Sequence, residues 1–134
     1  AAKLGIKRAQ ELGADAVVLL PGDCPLLEGR EIDSLVSGLP DPFVTVVPDR
    51  HGTGTNSLVL RPPDVIEPAF GEGSSARHQE LARTAGIPFA TEQVDGLALD
   101  LDTPADIVAL TTRIEMLRAG GGNPAPRTAA VLGI

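Results

Sequence analysis

Ala16-Val17-Val18-Leu19-Leu20-Pro21-Gly22-Asp23-Cys24-Pro25 is the stretch on which the fold turns. A short continuous apolar run suits a strand buried on both faces, as in a parallel sheet. Pro21 to Pro25 continues neither a strand nor a helix, so the run ends abruptly. Gly22 lets the backbone come close to a ligand, the two prolines stiffen the turn, and Asp23 presents a carboxylate at the strand's end. Two readings fit that carboxylate: a ligand for a hard cation such as Mg²⁺, or an ordinary turn aspartate that caps local amides.

Upstream, residues 2–12 read as a helix with Leu4, Arg8 and Leu12 on one face, closed by Gly13. Downstream, Ile32, Leu35, Val36 and Leu39 mark a second helix, and Phe43 to Val47 a second buried strand. A polar loop from Pro48 to Asn56 leads to a third strand, Ser57 to Leu60, which Pro62 and Pro63 stop. A helical turn is expected over Val65 to Phe70 and a helix over Ala76 to Ala85, ended by Gly86. Further strands are expected over Pro88 to Val94 and Leu97 to Leu99. The last helix starts at Thr103-Pro104, with Thr103 as N-cap, Pro104 in the first helical position and Asp106 in the first turn. Ile107, Leu110, Ile114 and Leu117 give it an apolar face. Alternating strands and helices predict a layered α/β domain with a mostly parallel sheet, in which ligands sit beyond the carboxyl ends of the strands. Residues 1–119 form that domain, and 120–134, opening on three glycines, are expected to be a flexible C-terminal tail.

The composition narrows the function. The 134 residues are 43% hydrophobic, enough to bury a core, yet include no Trp or Tyr and three Phe, so the core must be aliphatic. A net charge of -7 argues against a nucleic-acid partner, which a basic patch normally binds. No run approaches the roughly 20 apolar residues that span a bilayer. One cysteine, Cys24, excludes an internal disulfide and suits a reducing, cytoplasmic setting. The first residue is Ala and the only methionine is Met116, so the chain is expected to start inside a longer protein.

Three further segments can carry chemistry. In Leu99-Asp100-Leu101-Asp102-Thr103-Pro104, strand alternation would put Asp100 and Asp102 on one side; the plainer reading has Asp102 helping to cap the helix and Asp100 solvated. If these acids meet Asp23 at one sheet edge, a divalent ion between them would hold a nucleotide phosphate. Asp49-Arg50-His51-Gly52-Thr53-Gly54-Thr55-Asn56 is dense in donors and can wrap anionic oxygens. Arg50, His51, Thr55 and Asn56 are its candidate contacts, against the alternative of a polar connecting loop. Gly71-Glu72-Gly73-Ser74-Ser75 feeds a helix N-terminus, a ready phosphate or carboxylate site that is compatible with a simple serine cap. Neither His51 nor His78 has neighbours at zinc spacing, and Cys24 reads as a packing residue rather than a nucleophile.

In this order the segments LLPGDCPLL (19–27), VVPDRHGTGTN (46–56), FGEGSSARH (70–78) and LALDLDTPADI (97–107) resemble the guanylyltransferases of coenzyme F-420 biosynthesis that act on 2-phospho-L-lactate or phosphoenolpyruvate. The resemblance covers roughly residues 1–117. PGDCP and DLDTPAD resemble elements shared by many related nucleotidyltransferases, whereas PDRHGTGTN followed by FGxGS is much more specific and carries the choice of family. It implies a three-layer Rossmann-related, GT-A-like fold, GTP as donor, Mg²⁺ as cofactor, and attack by the acceptor's phosphate on the α-phosphorus. By motif position it implies Asp23 and Asp102 as metal ligands, with Asp100 as the alternative, and Thr55, Gly71 and Ser74 as contacts to the acceptor. Such enzymes open with a strand and a basic loop for the GTP base and triphosphate. Nothing here corresponds, so the chain is expected to be N-terminally incomplete and weak or inactive by itself. Phosphoenolpyruvate is the favoured acceptor, and a homodimer stays open. The competing readings are a molybdenum-cofactor nucleotidyltransferase, whose pterin acceptor needs a larger pocket, and a non-catalytic nucleotide- or metabolite-binding module.

Overall fold

A computed structural model describes residues 1–134. The elements follow in the order α1 (Ala2–Glu11), β1 (Val17–Leu19), α2 (Gly29–Val36), β2 (Phe43–Pro48), β3 (Thr55–Arg61), α3 (Ser74–Thr84), β4 (Phe89–Thr91), a 3₁₀ turn (Asp95–Leu97), α4 (Pro104–Ala119) and α5 (Pro126–Leu132). The sheet has the order β1-β3-β2-β4. β3 is antiparallel to both β1 and β2, whereas β2 and β4 run parallel.

The sheet is therefore mixed, not mostly parallel. The physical reason lies in the polar loop between β2 and β3. Only six residues, 49–54, separate the two strands, and a parallel pair needs a crossover of a dozen or more. The chain must turn straight back. β1, β2 and β4 still point the same way, so their carboxyl ends share one edge with the start of β3. That edge gathers the loops that follow β1 and β2.

Alternation along the central strands divides the core between two faces. Val44, Val46, Leu58 and Leu60 turn to one side and pack with Ile6 of α1, Ile66 and Ala82 of α3. Val47 and Val59 turn to the other and pack with Cys24, Leu35 of α2 and Leu97. The result is three layers, helix–sheet–helix, built from aliphatic side chains as the composition requires. α1 buries Ile6; Leu4 and Leu12 face solvent.

Three local expectations are corrected. Val65 to Phe70 forms no helical turn: the Val65 N–H donates to the Pro62 carbonyl (3.0 Å), and the chain then runs on irregularly to Phe70. Pro68 disfavours a helical conformation at Glu67. Leu97 to Leu99 is not a strand. Its backbone is satisfied within the 3₁₀ turn and by side chains instead: the Leu97 and Ala98 N–H groups donate to the Val94 and Asp95 carbonyls (3.0 and 3.2 Å), the Asn56 amide donates to the Leu97 carbonyl, and the preceding Gly96 N–H donates to the Glu31 carboxylate (2.9 Å). Asp100 and Asp102 consequently do not share a side through strand alternation. Residues 120–134, expected as a flexible tail, include α5. Pro126 starts it in the first helical turn, and Ala129 is fully buried against Leu110 and Ile114 of α4. Ala129→Arg should therefore lift α5 from α4 and lower stability by about 1–3 kcal/mol, read as a lower urea midpoint. An unchanged midpoint would mean that α5 does not dock.

No helix is long and apolar enough to cross a membrane.

Candidate active site

The loop after β1 and the segment before α4 meet. The Leu101 N–H donates to the Asp23 carbonyl (3.2 Å), which ties the two acid-bearing segments together. Asp23, Asp100 and Asp102 thereby share one neighbourhood. The Asp102 carboxyl is held above its ordinary range, first by the charge of Asp100, then by burial and by Asp23. One oxygen of Asp100, Oδ1, is buried with no hydrogen-bond partner. Clustered like charges and an orphaned carboxylate oxygen are what a bound cation would relieve. No three His, Cys, Asp or Glu side chains are gathered at full metal-ligand spacing. Mg²⁺ does not need that, since it commonly takes one or two carboxylates and completes its shell with phosphate and water. The residues present fit such an ion.

Cys24 lies beneath this cluster. Burial, followed by the charges of Asp23, Asp100 and Asp102, pushes its thiol up to about 11. It stays protonated at neutral pH and packs among Leu35, Val47, Val59 and Leu97. Thiolate chemistry is disfavoured there.

Asp106 is the anchor of the acid segment. Asp106 Oδ2 accepts from the Asp102 N–H (3.1 Å), the Thr103 N–H (2.7 Å) and the Thr103 hydroxyl (2.8 Å), which closes a capping box at the start of α4. Its Oδ1 accepts from Arg50 Nη1 (2.9 Å). These donors, Arg50 foremost, hold the Asp106 carboxyl far below the usual carboxylate range. A depressed acid stabilises the fold above its unfolded pKa, about 4, and that contribution is lost as pH falls towards the folded value. In Arg50→Met the depression is smaller, so the decline in Tm below about pH 4 should be shallower than in the parent chain. Parallel Tm–pH curves would show that the ion pair does not matter. Arg50 thus has a structural duty: its hydrogen bond goes to Asp106, and it links the 49–54 loop to α4.

The 49–54 loop folds on itself. Asp49 Oδ1 accepts from the His51 and Thr53 N–H groups (3.1 and 3.2 Å), and the Ser75 N–H donates to the Thr53 carbonyl (3.0 Å). His51 is exposed and its side chain makes no hydrogen bond; Asn56 braces the 3₁₀ turn through Leu97. Gly71 is exposed with a φ of 117°, in the region that favours glycine, and its carbonyl accepts from the Ser74 N–H (3.1 Å). Thr55 and Ser74 meet: the Ser74 hydroxyl donates to Thr55 Oγ1 (2.9 Å). Thr55 and Asn56 border a cavity of about 430 Å³, together with Leu19, Leu20, Pro21 and Phe70.

Sequence reasoning missed two side chains here. His78 is fully buried and bridges Thr55 and the Ala69 backbone. Arg77 grips the 69–72 loop through the carbonyls of Ala69 (2.7 Å) and Glu72 (2.8 Å). Their position directly after the glycine turn, at the start of α3, was the available signal.

The family described as "Guanylyl transferase CofC like" matches residues 3–117. A protein of Sphaerobacter thermophilus named phosphoenolpyruvate guanylyltransferase is 50% identical over 108 residues, covering 81% of this chain and 52% of the relative. One of the same name from Conexibacter woesei is 44% identical over 122 residues, covering 89% and 54%. A 3-phospho-D-glycerate guanylyltransferase of Phenylobacterium zucineum is 39% identical over 101 residues, covering 75% and 46%. The chain spans about half the length of the curated relatives it matches. With a match that runs from α1 to the last turns of α4, the chain belongs to the CofC-like guanylyl transferase family.

Proposed function

We propose that this chain provides the acceptor- and cation-binding part of an enzyme that transfers GMP from GTP to phosphoenolpyruvate and releases pyrophosphate. Its place would be in coenzyme F-420 biosynthesis, with 2-phospho-L-lactate as the alternative acceptor. The observation that carries the reading is the Leu101–Asp23 backbone hydrogen bond, which brings the segments bearing Asp23, Asp100 and Asp102 into one neighbourhood beyond the end of β1, close to the start of β3 where Thr55 lies. The names of the relatives, for phosphoenolpyruvate and 3-phospho-D-glycerate, support a small phosphorylated acid as acceptor.

In the proposed reaction an acceptor phosphate oxygen forms a bond to the α-phosphorus of GTP as the α–β bridging bond breaks, and pyrophosphate departs with that electron pair. Catalysis of such a step is mostly positioning and charge stabilisation. Asp23 and Asp102, with Asp100 as the alternative ligand, would hold Mg²⁺, which supplies neutralisation of the phosphate charge when bound. Thr55 would donate to the acceptor's anionic oxygens, Ser74 would hold Thr55 for that contact through its own hydroxyl, and the Gly71 backbone would let the acceptor approach closely. Arg50 and Asn56 act through what they brace, the α4 start and the 3₁₀ turn.

The test is calorimetry of phosphoenolpyruvate with and without Mg²⁺, beside a pyrophosphate assay with GTP. Binding that requires Mg²⁺ is the expected result, and pyrophosphate release would report turnover. The absence of both binding and release would overturn the proposal. Binding of phosphoenolpyruvate that is indifferent to Mg²⁺, with no release in the presence of GTP, would favour a binding module.

A further inference from the structure

The hydrogen-bond geometry around Thr55 points to His78 as a positioning residue: we infer that it makes the Thr55 hydroxyl an obligate donor to an anionic ligand oxygen. The inference rests on the acceptor-site reading above.

The Ala69 N–H donates to His78 Nε2 (2.8 Å), so that nitrogen carries no proton. Burial, and then the nearby Arg77 charge, also disfavour the imidazolium. A neutral ring with a bare Nε2 must carry its proton on Nδ1. Nδ1 lies 3.0 Å from Thr55 Oγ1, so the ring donates to that oxygen. Phe70 meets the ring edge-on, with centroids 5.2 Å apart, and helps to fix its plane.

Ser74 donates to the same Thr55 oxygen (2.9 Å). A hydroxyl oxygen has two acceptor lone pairs and one proton. Both lone pairs are now used, and the Thr55 proton has no partner within the protein. Thr55 is half-buried and borders the cavity. It can therefore meet a ligand only as a donor. Phosphate and carboxylate oxygens accept; a donor N–H or O–H of a ligand finds no lone pair there. The device selects oxyanions without any charged side chain at the contact, which suits a chain of net charge -7.

The test separates the Nδ1–H donor from the packing of the ring. His78→Leu and His78→Asn both lose the acceptor for Ala69, but only His78→Asn can return an N–H towards Thr55. Calorimetry with phosphoenolpyruvate and Mg²⁺ should show His78→Leu weaker by about tenfold or more, the worth of one hydrogen bond to a charged group. His78→Asn should recover most of that loss. In a Thr55→Val background the two variants should bind alike, because the oxygen they act through is gone. Nitrogen NMR of the parent chain should show the imidazole proton on Nδ1, a readout that needs no variant to fold. A proton on Nε2, or an undiminished difference between Leu and Asn in the Thr55→Val background, would overturn the inference while leaving the proposed function standing. Failure of the parent chain to bind phosphoenolpyruvate would remove both.

Discussion

Asp102→Asn is expected to weaken divalent-cation binding by on the order of a hundred- to a thousandfold, while the cation-free protein becomes more stable rather than less. The two effects have one cause. Asp102 ionises beside Asp100 and near Asp23, and its carboxyl is raised by them. For an acid raised in the fold, the ionised form at neutral pH is the unfavourable one, and the penalty disappears as pH falls into the raised range. The amide removes that penalty at every pH. It can also donate to the neighbouring Asp100 carboxylate, which the parent side chain does only when protonated. What it cannot do is contribute a negative oxygen to a hard cation. Sites that store repulsion for a ligand behave in this way. Binding of Mn²⁺ followed by relaxation of water protons, with Tm in chelator, would measure both halves. A variant that is destabilised and still binds the ion normally would show that the acids are structural, as capping and turn residues would be.

How far this site could be read from the chain depends on the reach of each interaction. The turn after β1 and the start of α4 were legible because their chemistry is local: an apolar run stopped by Pro21-Gly22, and Thr103, Pro104 and Asp106 in the pattern of a helix start. The union of the two segments was an expectation that the Leu101–Asp23 hydrogen bond now gives a physical form. For His78 the chain showed its place after the glycine turn but not its role. Its importance arises from contacts with Thr55, 23 residues away, and with the Ala69 backbone, and no spacing rule connects those positions. The same holds for Arg50, whose donor-rich loop suggested ligand contact but whose guanidinium reaches Asp106, 56 residues further on. The direction of β3, by contrast, was available in principle, since a six-residue loop excludes a parallel crossover. The β-strand expected at Leu97 to Leu99 shows the usual weakness of short apolar runs, which periodicity alone cannot assign.

That misread segment yields the second large effect, because Gly96→Ala should disturb stability and site together. A Cβ at position 96 would lie 2.6 Å from the Leu27 Cα and 3.0 Å from the Leu26 carbonyl, and would collide with the Glu31 carboxylate. Backbone atoms cannot rotate aside as a flexible side chain can, so either the 3₁₀ turn or the start of α2 must move. Movement breaks the Gly96–Glu31 hydrogen bond and pulls on Leu97, which is almost fully buried and held through its carbonyl by Asn56. Overpacking of this kind costs about 1–3 kcal/mol, which in a domain of this size is a Tm lower by roughly 4–15 °C. Asp100 lies three residues beyond Leu97, so the displaced turn also shifts the acid segment against Asp23. Cation affinity should fall in Gly96→Ala at temperatures where the protein is still folded, although no ligand-contacting atom has changed. Glu31→Gln is the informative companion: it keeps an acceptor for the Gly96 N–H and adds no volume, so it should spare the cation affinity that Gly96→Ala loses. If Gly96→Ala instead lowered Tm and left cation affinity intact, the 3₁₀ turn would be a packing element only, and the acid segment would owe its placement to Asp106 and the Leu101–Asp23 hydrogen bond alone.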